Sequence, residues 1–209
     1  MWHLTEDTAP VLEPLDVGDL EEHSRLYPPD SRERTALERR IKTVREAFEH
    51  FTGRACLTQT WDLVLDHWPT RYEGGGVFAF AGEIIMPKPP LQSVTSITYV
   101  DTNGDTQTVA ATVYDAITPS GPRAIPGRVV LKYNQSWPTA RTQPSAVTIK
   151  FIAGWTSAAN VPPSAKDGML MMLAELYERR EDAIVGAPIA DVPIGSARLW
   201  AGLRTEFVF

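Results

Sequence analysis

Phe51-Thr52-Gly53-Arg54-Ala55-Cys56-Leu57-Thr58-Gln59-Thr60-Trp61 is the stretch over which the hydrophobic period of this 209-residue chain changes. Before it, Ala36, Leu37, Ile41, Val44, Phe48 and Phe51 recur at three and four residues, which lines them along one side of an α-helix. After it, Leu57, Trp61, Leu63 and Leu65 alternate with Thr58, Thr60, Asp62 and Asp66, the period of a half-buried strand. Gly53 stands between the two patterns as a natural helix stop, because a residue without Cβ accepts the left-handed conformation that ends a helix. A long amphipathic helix running directly into a β unit is therefore the first expectation.

Working upstream, Asp30 is placed as N-cap of this helix and Glu33 completes a capping box. Arg34/Glu38, Glu38/Lys42, Lys42/Glu46 and Arg45/Glu49 lace its solvent side at a spacing of four. Pro28-Pro29 separates it from a shorter helix that Asp16 caps and that runs to about Tyr27, with Asp19 in its first turn and Leu15 and Leu20 as a hydrophobic staple. Working downstream, strands are expected at Glu83 to Met86, Ser93 to Val100, Gln107 to Tyr114, Arg128 to Tyr133 and Ala146 to Ala153. Asn103-Gly104 marks a hairpin turn. A third helix follows Pro162-Pro163 and runs to about Arg180, apolar on more than one face through Met169, Leu170, Met171, Met172, Leu173, Leu176 and Tyr177. Beyond Glu181, Gly186, Pro188, Pro193 and Gly195 break any long helix. A short helical segment is possible from Ser196 to Arg204, and the chain ends in Phe207-Val208-Phe209.

The fold class read from this order is α+β: one domain over 1–209, a small core of three helices (about 16–53 and 162–180) with an inserted antiparallel β unit (about 57–155) and an extended C-terminal tail (181–209).

Composition narrows the function. With 43% hydrophobic and 22% charged residues the chain is an ordinary globular one. It has no run of about 20 apolar residues, and its first residues lack the basic-then-apolar order of a signal peptide, so a cytoplasmic site of synthesis and no membrane partner are expected. The single cysteine, Cys56, forms no internal disulfide, and His3, His23, His50 and His67 show no metal-ligand spacing with it, so neither metal nor cofactor is expected. A net charge of -6 opposes tight binding of nucleic acid.

Catalytic constellations are thin. The chain lacks a nucleophile elbow, a Walker-type phosphate loop, His-Glu-x-x-His and Cys-x-x-Cys. Gly74-Gly75-Gly76 reads as a loop. Glu83, Asp101, Asp105 and Asp115 could be imagined as an acid/base pair, but Asp101 and Asp105 flank the hairpin turn and read as solvated turn residues. Cys56 with His50 or His67 has no third orienting group. The six tryptophans could form a sugar-stacking platform, although core packing of Trp61 and turn anchoring of Trp137 and Trp155 fit better. Arg32, Arg34, Arg39, Arg40, Lys42 and Arg45 could face phosphates, against which the interleaved glutamates favour a solvated or subunit-facing surface.

Four segments in order resemble the head-tail connector (adaptor) proteins of tailed bacteriophages, a family also found in gene-transfer particles. The run Phe51 to Trp61 is similar to that family's helix-to-strand junction. Pro87-Lys88-Pro89-Pro90-Leu91-Gln92-Ser93-Val94-Thr95-Ser96-Ile97-Thr98-Tyr99-Val100-Asp101 is similar to its proline pair leading into a strand and hairpin. Val147-Thr148-Ile149-Lys150-Phe151-Ile152-Ala153-Gly154-Trp155, followed by Val161-Pro162 and Lys166, resembles its last strand, glycine-aromatic turn and third helix, and Leu176-Tyr177-Glu178-Arg179-Arg180-Glu181 resembles its helix end. The stretch from Trp68 to Gly82 and the aromatic terminus depart from the pattern.

The resemblance implies a structural, non-enzymatic protein in the virion neck between capsid and tail. It would form a ring of identical subunits, dodecameric, under the portal protein, carry tail or stopper proteins, and extend a channel through which DNA passes without specific binding. A closed ring needs two complementary surfaces per subunit. The candidate interface residues are Met171 and Met172 on the third helix and Leu199, Trp200, Leu203, Arg204, Phe207, Val208 and Phe209 in the tail. On this reading, removing residues 199 to 209 leaves the fold intact and abolishes attachment. The alternative readings are a tail-associated carbohydrate-binding module or a cell-wall hydrolase.

Overall fold

The structure is a computed structural model that describes residues 1–24, 30–69, 82–178 and 193–205. The chain divides into two compact units, a β unit of Met1–Pro10 with Thr58–Trp155 and a helical unit of Val11–Leu57 with Thr156–Phe209. Its class is α+β, as expected.

The β unit holds β1 (Trp2–Thr8), β2 (Gln59–Leu65), β3 (Ile84–Met86), β4 (Leu91–Val100), β5 (Thr106–Thr108), β6 (Tyr114–Ile117), β7 (Gly127–Leu131) and β8 (Val147–Ala153). One antiparallel sheet runs in the order β1-β2-β8-β4-β5 and a smaller one in the order β3-β7-β6. Strand β8 organises the larger sheet: Val147, Ile149, Phe151 and Ala153 are fully buried, while Thr148, Lys150 and Ile152 between them are half-exposed. Leu63 faces Ile149 across β2, and Ile149 faces Ile97 across β4, so the alternation of three segments far apart in sequence meets in one register.

Two strand expectations change. The N-terminal residues, read only for targeting signals, form β1 and pair with β2 from Trp2↔Leu65 to Thr8↔Thr60. The expected strand from Gln107 to Tyr114 is broken: Val109 still hydrogen-bonds Ile97, but a turn closed by Val113 N–H on the Ala110 carbonyl sends the chain from one sheet to the other. Alternation extended through the break because Val109 and Val113 are both apolar, and turn chemistry inside Ala110-Ala111-Thr112 carries no strong marker.

The helical unit holds α1 (Val17–Ser24), α2 (Ser31–Thr52), α3 (Pro163–Glu178) and α4 (Ile194–Ala201). The expected three helices are four among the described residues. Both early N-caps, Asp16 and Asp30, form, while the Glu33 carboxylate, read as completing a capping box, accepts the Tyr177 hydroxyl at 2.8 Å. Asp16 and Asp19 exchange backbone-to-carboxylate bonds at 2.8 and 3.0 Å, and Asp30 accepts from the amides of Arg32 and Glu33 at 2.9 and 2.8 Å. Gly53 caps α2 at φ 72° and its N–H bonds the Glu49 carbonyl. Residues Leu37, Ile41, Val44 and Phe48 form the buried stripe of this helix, which is about 33 Å long at about 1.5 Å per residue. The expected end of α1 near Tyr27 lies outside the described residues, as do the Gly74–Gly76 run and most of the 181–209 tail.

Helix α4 corrects the picture of an extended tail. Trp200 is fully buried, its indole N–H donates to the Ala165 carbonyl at 3.1 Å, and its ring meets Phe48 edge-on at 5.4 Å and Phe51 at 5.9 Å. Gly168 makes the approach possible, since a Cβ there would overlap the Trp200 ring. Leu203 is buried as well, its carbonyl accepts from Arg54 Nε, and Thr205 bonds the Thr52 carbonyl through both its amide and its hydroxyl.

Candidate docking interface

The catalytic candidates are committed elsewhere. Cys56 is fully buried, and burial, with Glu49 beside it, pushes its thiol well above the ordinary range, the opposite of an activated nucleophile. His50 and His67 are exposed. Glu83 pairs with Arg128 at 3.0 Å and Asp115 with Lys132 at 3.4 Å. Asp101 closes the β4–β5 hairpin: it accepts from Gln107 Nε2 and from the amides of Asp105 and Asn103, which lower its pKa, with Gly104 at φ 96° completing the turn. Asp101 and Asp105 are thus turn residues. Among the described residues no group of three His, Cys, Asp or Glu side chains could hold a metal ion, and no helix is long and apolar enough to cross a membrane.

The tryptophans do not present a shared open platform. Trp68 and Trp137 stack on each other at 4.5 Å and 2°, with Tyr99 tilted against Trp68 at 6.0 Å. The Lys88 ammonium lies 5.2 Å over the Trp61 ring, Trp155 is buried, and Trp200 belongs to the helical core.

The proposed interface residues fall into three groups. Met172, Trp200 and Leu203 are buried in the helical unit, where each packs within the chain itself. Met171 and Leu199 remain 40% and 36% exposed, and Arg204 is exposed with its guanidinium 5.6 Å over Phe51. Phe207, Val208 and Phe209 lie outside the described residues. A cut before Leu199 would strip Trp200 and Leu203 from the core, which argues against the expectation that the fold survives it.

Met171 sits where α3 and α4 approach closely, since a Cβ on Gly195 would strike its methyl. Ile194, beside it in sequence, is 67% exposed. Val11 and Leu12, at the start of the same unit in sequence, are 92% and 63% exposed. Sequence reading passed over both. The available signal was an apolar pair held between Pro10 and Pro14, where neither helix nor ladder can form to bury it.

Electrostatics divide α2 unequally. Arg45 is buried and held by Glu13 at 3.0 Å, Glu49 at 2.8 Å and Glu46 at 3.6 Å; burial pulls its pKa down, but the three carboxylates outweigh it. Glu49 also accepts the Cys56 amide, which ties the end of α2 to the segment after Gly53. Arg34 reaches Glu21 on α1 at 3.4 Å. Arg54, also buried, is pushed down to about 10 by desolvation.

No protein family and no curated protein matches the sequence. Solved structures do. A chain in the neck of an empty gene transfer agent particle, computed with C6 symmetry, shares the fold at a TM-score of 0.73 and 24% identity, over 99% of this chain and 97% of that one. A chain in the virion of the native gene transfer agent particle and one in its neck, computed with C12 symmetry, match over the same shares at a TM-score of 0.71 and 24% identity. The likeness extends over both units and shows a common fold.

Proposed function

We propose that this chain is a structural component of the neck of a tailed phage or gene-transfer particle, an adaptor that joins copies of itself into a ring between the portal protein and the tail or stopper proteins. One observation carries the reading: its fold runs end to end with that of chains in gene transfer agent necks, helical unit and β unit alike. The C6 and C12 symmetries of those necks fit a ring of identical subunits. Surface chemistry agrees with a role in assembly. The apolar side chains left exposed on the helical unit, Val11, Leu12, Met171, Ile194 and Leu199, suit contacts with other chains. Cys56, Glu83, Asp101, Asp105 and Asp115 are held in the core, in ion pairs or in a turn, which supports a structural role. DNA would pass through the ring without sequence-specific contact. Met171, Leu199, Arg204 and the 206–209 terminus are the proposed docking residues, with Met172, Trp200 and Leu203 holding their scaffold.

The test is the mass of the purified chain by light scattering, alone and with the portal protein of its own particle. A ring-sized species, alone or on portal, is expected. A monomer indifferent to portal overturns the reading.

A further inference from the structure

The rows of α2 hold a feature that the linear sequence hides. Basic and acidic residues interleave along the chain, yet the helix sorts them. Arg32, Ala36, Arg39, Arg40, Thr43 and Ala47 recur at three and four residues and form one continuous stripe without a carboxylate. Arg32 and Arg39 are exposed and Arg40 half-exposed, and among the described residues none of the three guanidinium groups is in an ion pair. Arg34 and Arg45, on the other flank of the same helix, are both paired. That flank receives the segment from Val11 to Glu22, which carries Glu13, Asp16, Asp19, Glu21 and Glu22 and no lysine or arginine. The same segment opens with the exposed pair Val11 and Leu12. The stripe is thus positive, bordered by Asp30 and Glu33 beside Arg32 and Arg40, and the 11–22 segment is net negative, with Glu13 and Glu21 already paired to Arg45 and Arg34 and with an exposed apolar pair at its start.

We infer that the 11–22 segment of one copy docks on the Arg32/Arg39/Arg40 stripe of the next. This deepens the ring reading and rests on it. Two different surfaces of opposite sign make a head-to-tail contact, the type that closes into a ring by rotation, whereas a self-complementary patch would give dimers. The small side chains Ala36, Thr43 and Ala47 leave room between the arginines for Val11 and Leu12, and the arginines meet Asp16, Asp19 and Glu22, which no ion pair among the described residues engages. Pairing of this kind also offsets the mutual repulsion of subunits that each carry a net charge of -6.

The experiment compares the wild-type chain with R39E/R40E and with L12R/E22R, each alone and mixed, with and without portal protein, following mass against concentration at about 0.05 M and about 0.5 M salt. All four substituted side chains are exposed or half-exposed, and a matching circular dichroism melt verifies that each variant folds. Either variant alone is expected to need at least about tenfold more protein for half-assembly, and the mixture to recover it, because alternating copies restore opposite charges at every contact. The wild-type ring should weaken at the higher salt. Rings formed by R39E/R40E at the wild-type concentration overturn this contact and leave the ring reading standing. A stripe that binds duplex DNA in a salt-dependent way, lost in R39E/R40E while the ring mass is unchanged, overturns it in favour of phosphate contact. A wild type that never associates, even with portal, overturns the ring reading itself.

Discussion

The large sheet of the β unit and the α3–α4 clamp of the helical unit are both tightly packed, but they are specified differently. In the sheet, the central strand β8 announces its buried face by alternation, and the register follows once β2, β8 and β4 lie side by side. In the clamp, one tryptophan fits over one glycine 32 positions earlier in the sequence, Trp200 on Gly168, and no local pattern marks the pair. Distributed packing tolerates small changes, while a single lock concentrates the cost of any change in one place.

The sharpest way to break the clamp is Gly168→Leu, which drives a side chain into the Trp200 ring. With the ring held by Phe48, Phe51 and the Ala165 carbonyl, it has nowhere to retreat. The helical unit should fail to form its native core, at a cost above about 4 kcal/mol. Alkylation of Cys56, buried in the same unit, reads this directly: the thiol should react as fast as in denaturant. Trp200→Ala removes the other half of the lock and should cost about 3–5 kcal/mol, seen as a lower unfolding midpoint and faster Cys56 labelling.

In the sheet, Ile149→Val deletes one methyl at the centre of three strands and should cost only about 0.5–1.5 kcal/mol by denaturant titration. A cost equal to that of Trp200→Ala would erase the distinction between distributed and single-lock packing. Asp30→Ala, which unties two amides at the start of α2, should cost about 1 kcal/mol. The smallest effect is expected at the β4–β5 hairpin. Gln107 and the turn amides hold the Asp101 carboxyl below its ordinary value, so their stabilisation is fully present above about pH 4 and is lost as pH falls through the depressed folded value. Thermal midpoints measured downward from about pH 5 should show an acid limb that Asp101→Ala flattens.

Much of this architecture was legible beforehand. Asp16, Asp30 and Gly53 mark helix ends by local hydrogen bonding, and Val147 to Ala153 marks its buried face by period. The exposure of the proposed docking residues was legible only in part. Met171 and Leu199 are exposed, but Trp200 and Leu203, equally apolar, are core. Hydrophobicity alone cannot tell these apart. Val11, Leu12 and Ile194 were missed because a surface residue belongs to no periodic pattern.

By itself, then, the sequence determined what depends on neighbours within a few positions: where helices start and stop, which strand face is apolar, where the hairpin turns, and that no catalytic constellation is encoded in a recognisable motif. Only the tertiary structure decided what depends on residues far apart. It brought Trp2 to Thr8 to the sheet edge, broke the strand after Thr108, seated Trp200 over Gly168 and sorted the charges of α2 into a paired flank and an unpaired one. The physical reason is the same in each case: backbone preferences and capping act over one or two turns of chain, whereas burial and charge pairing are settled only when distant segments meet.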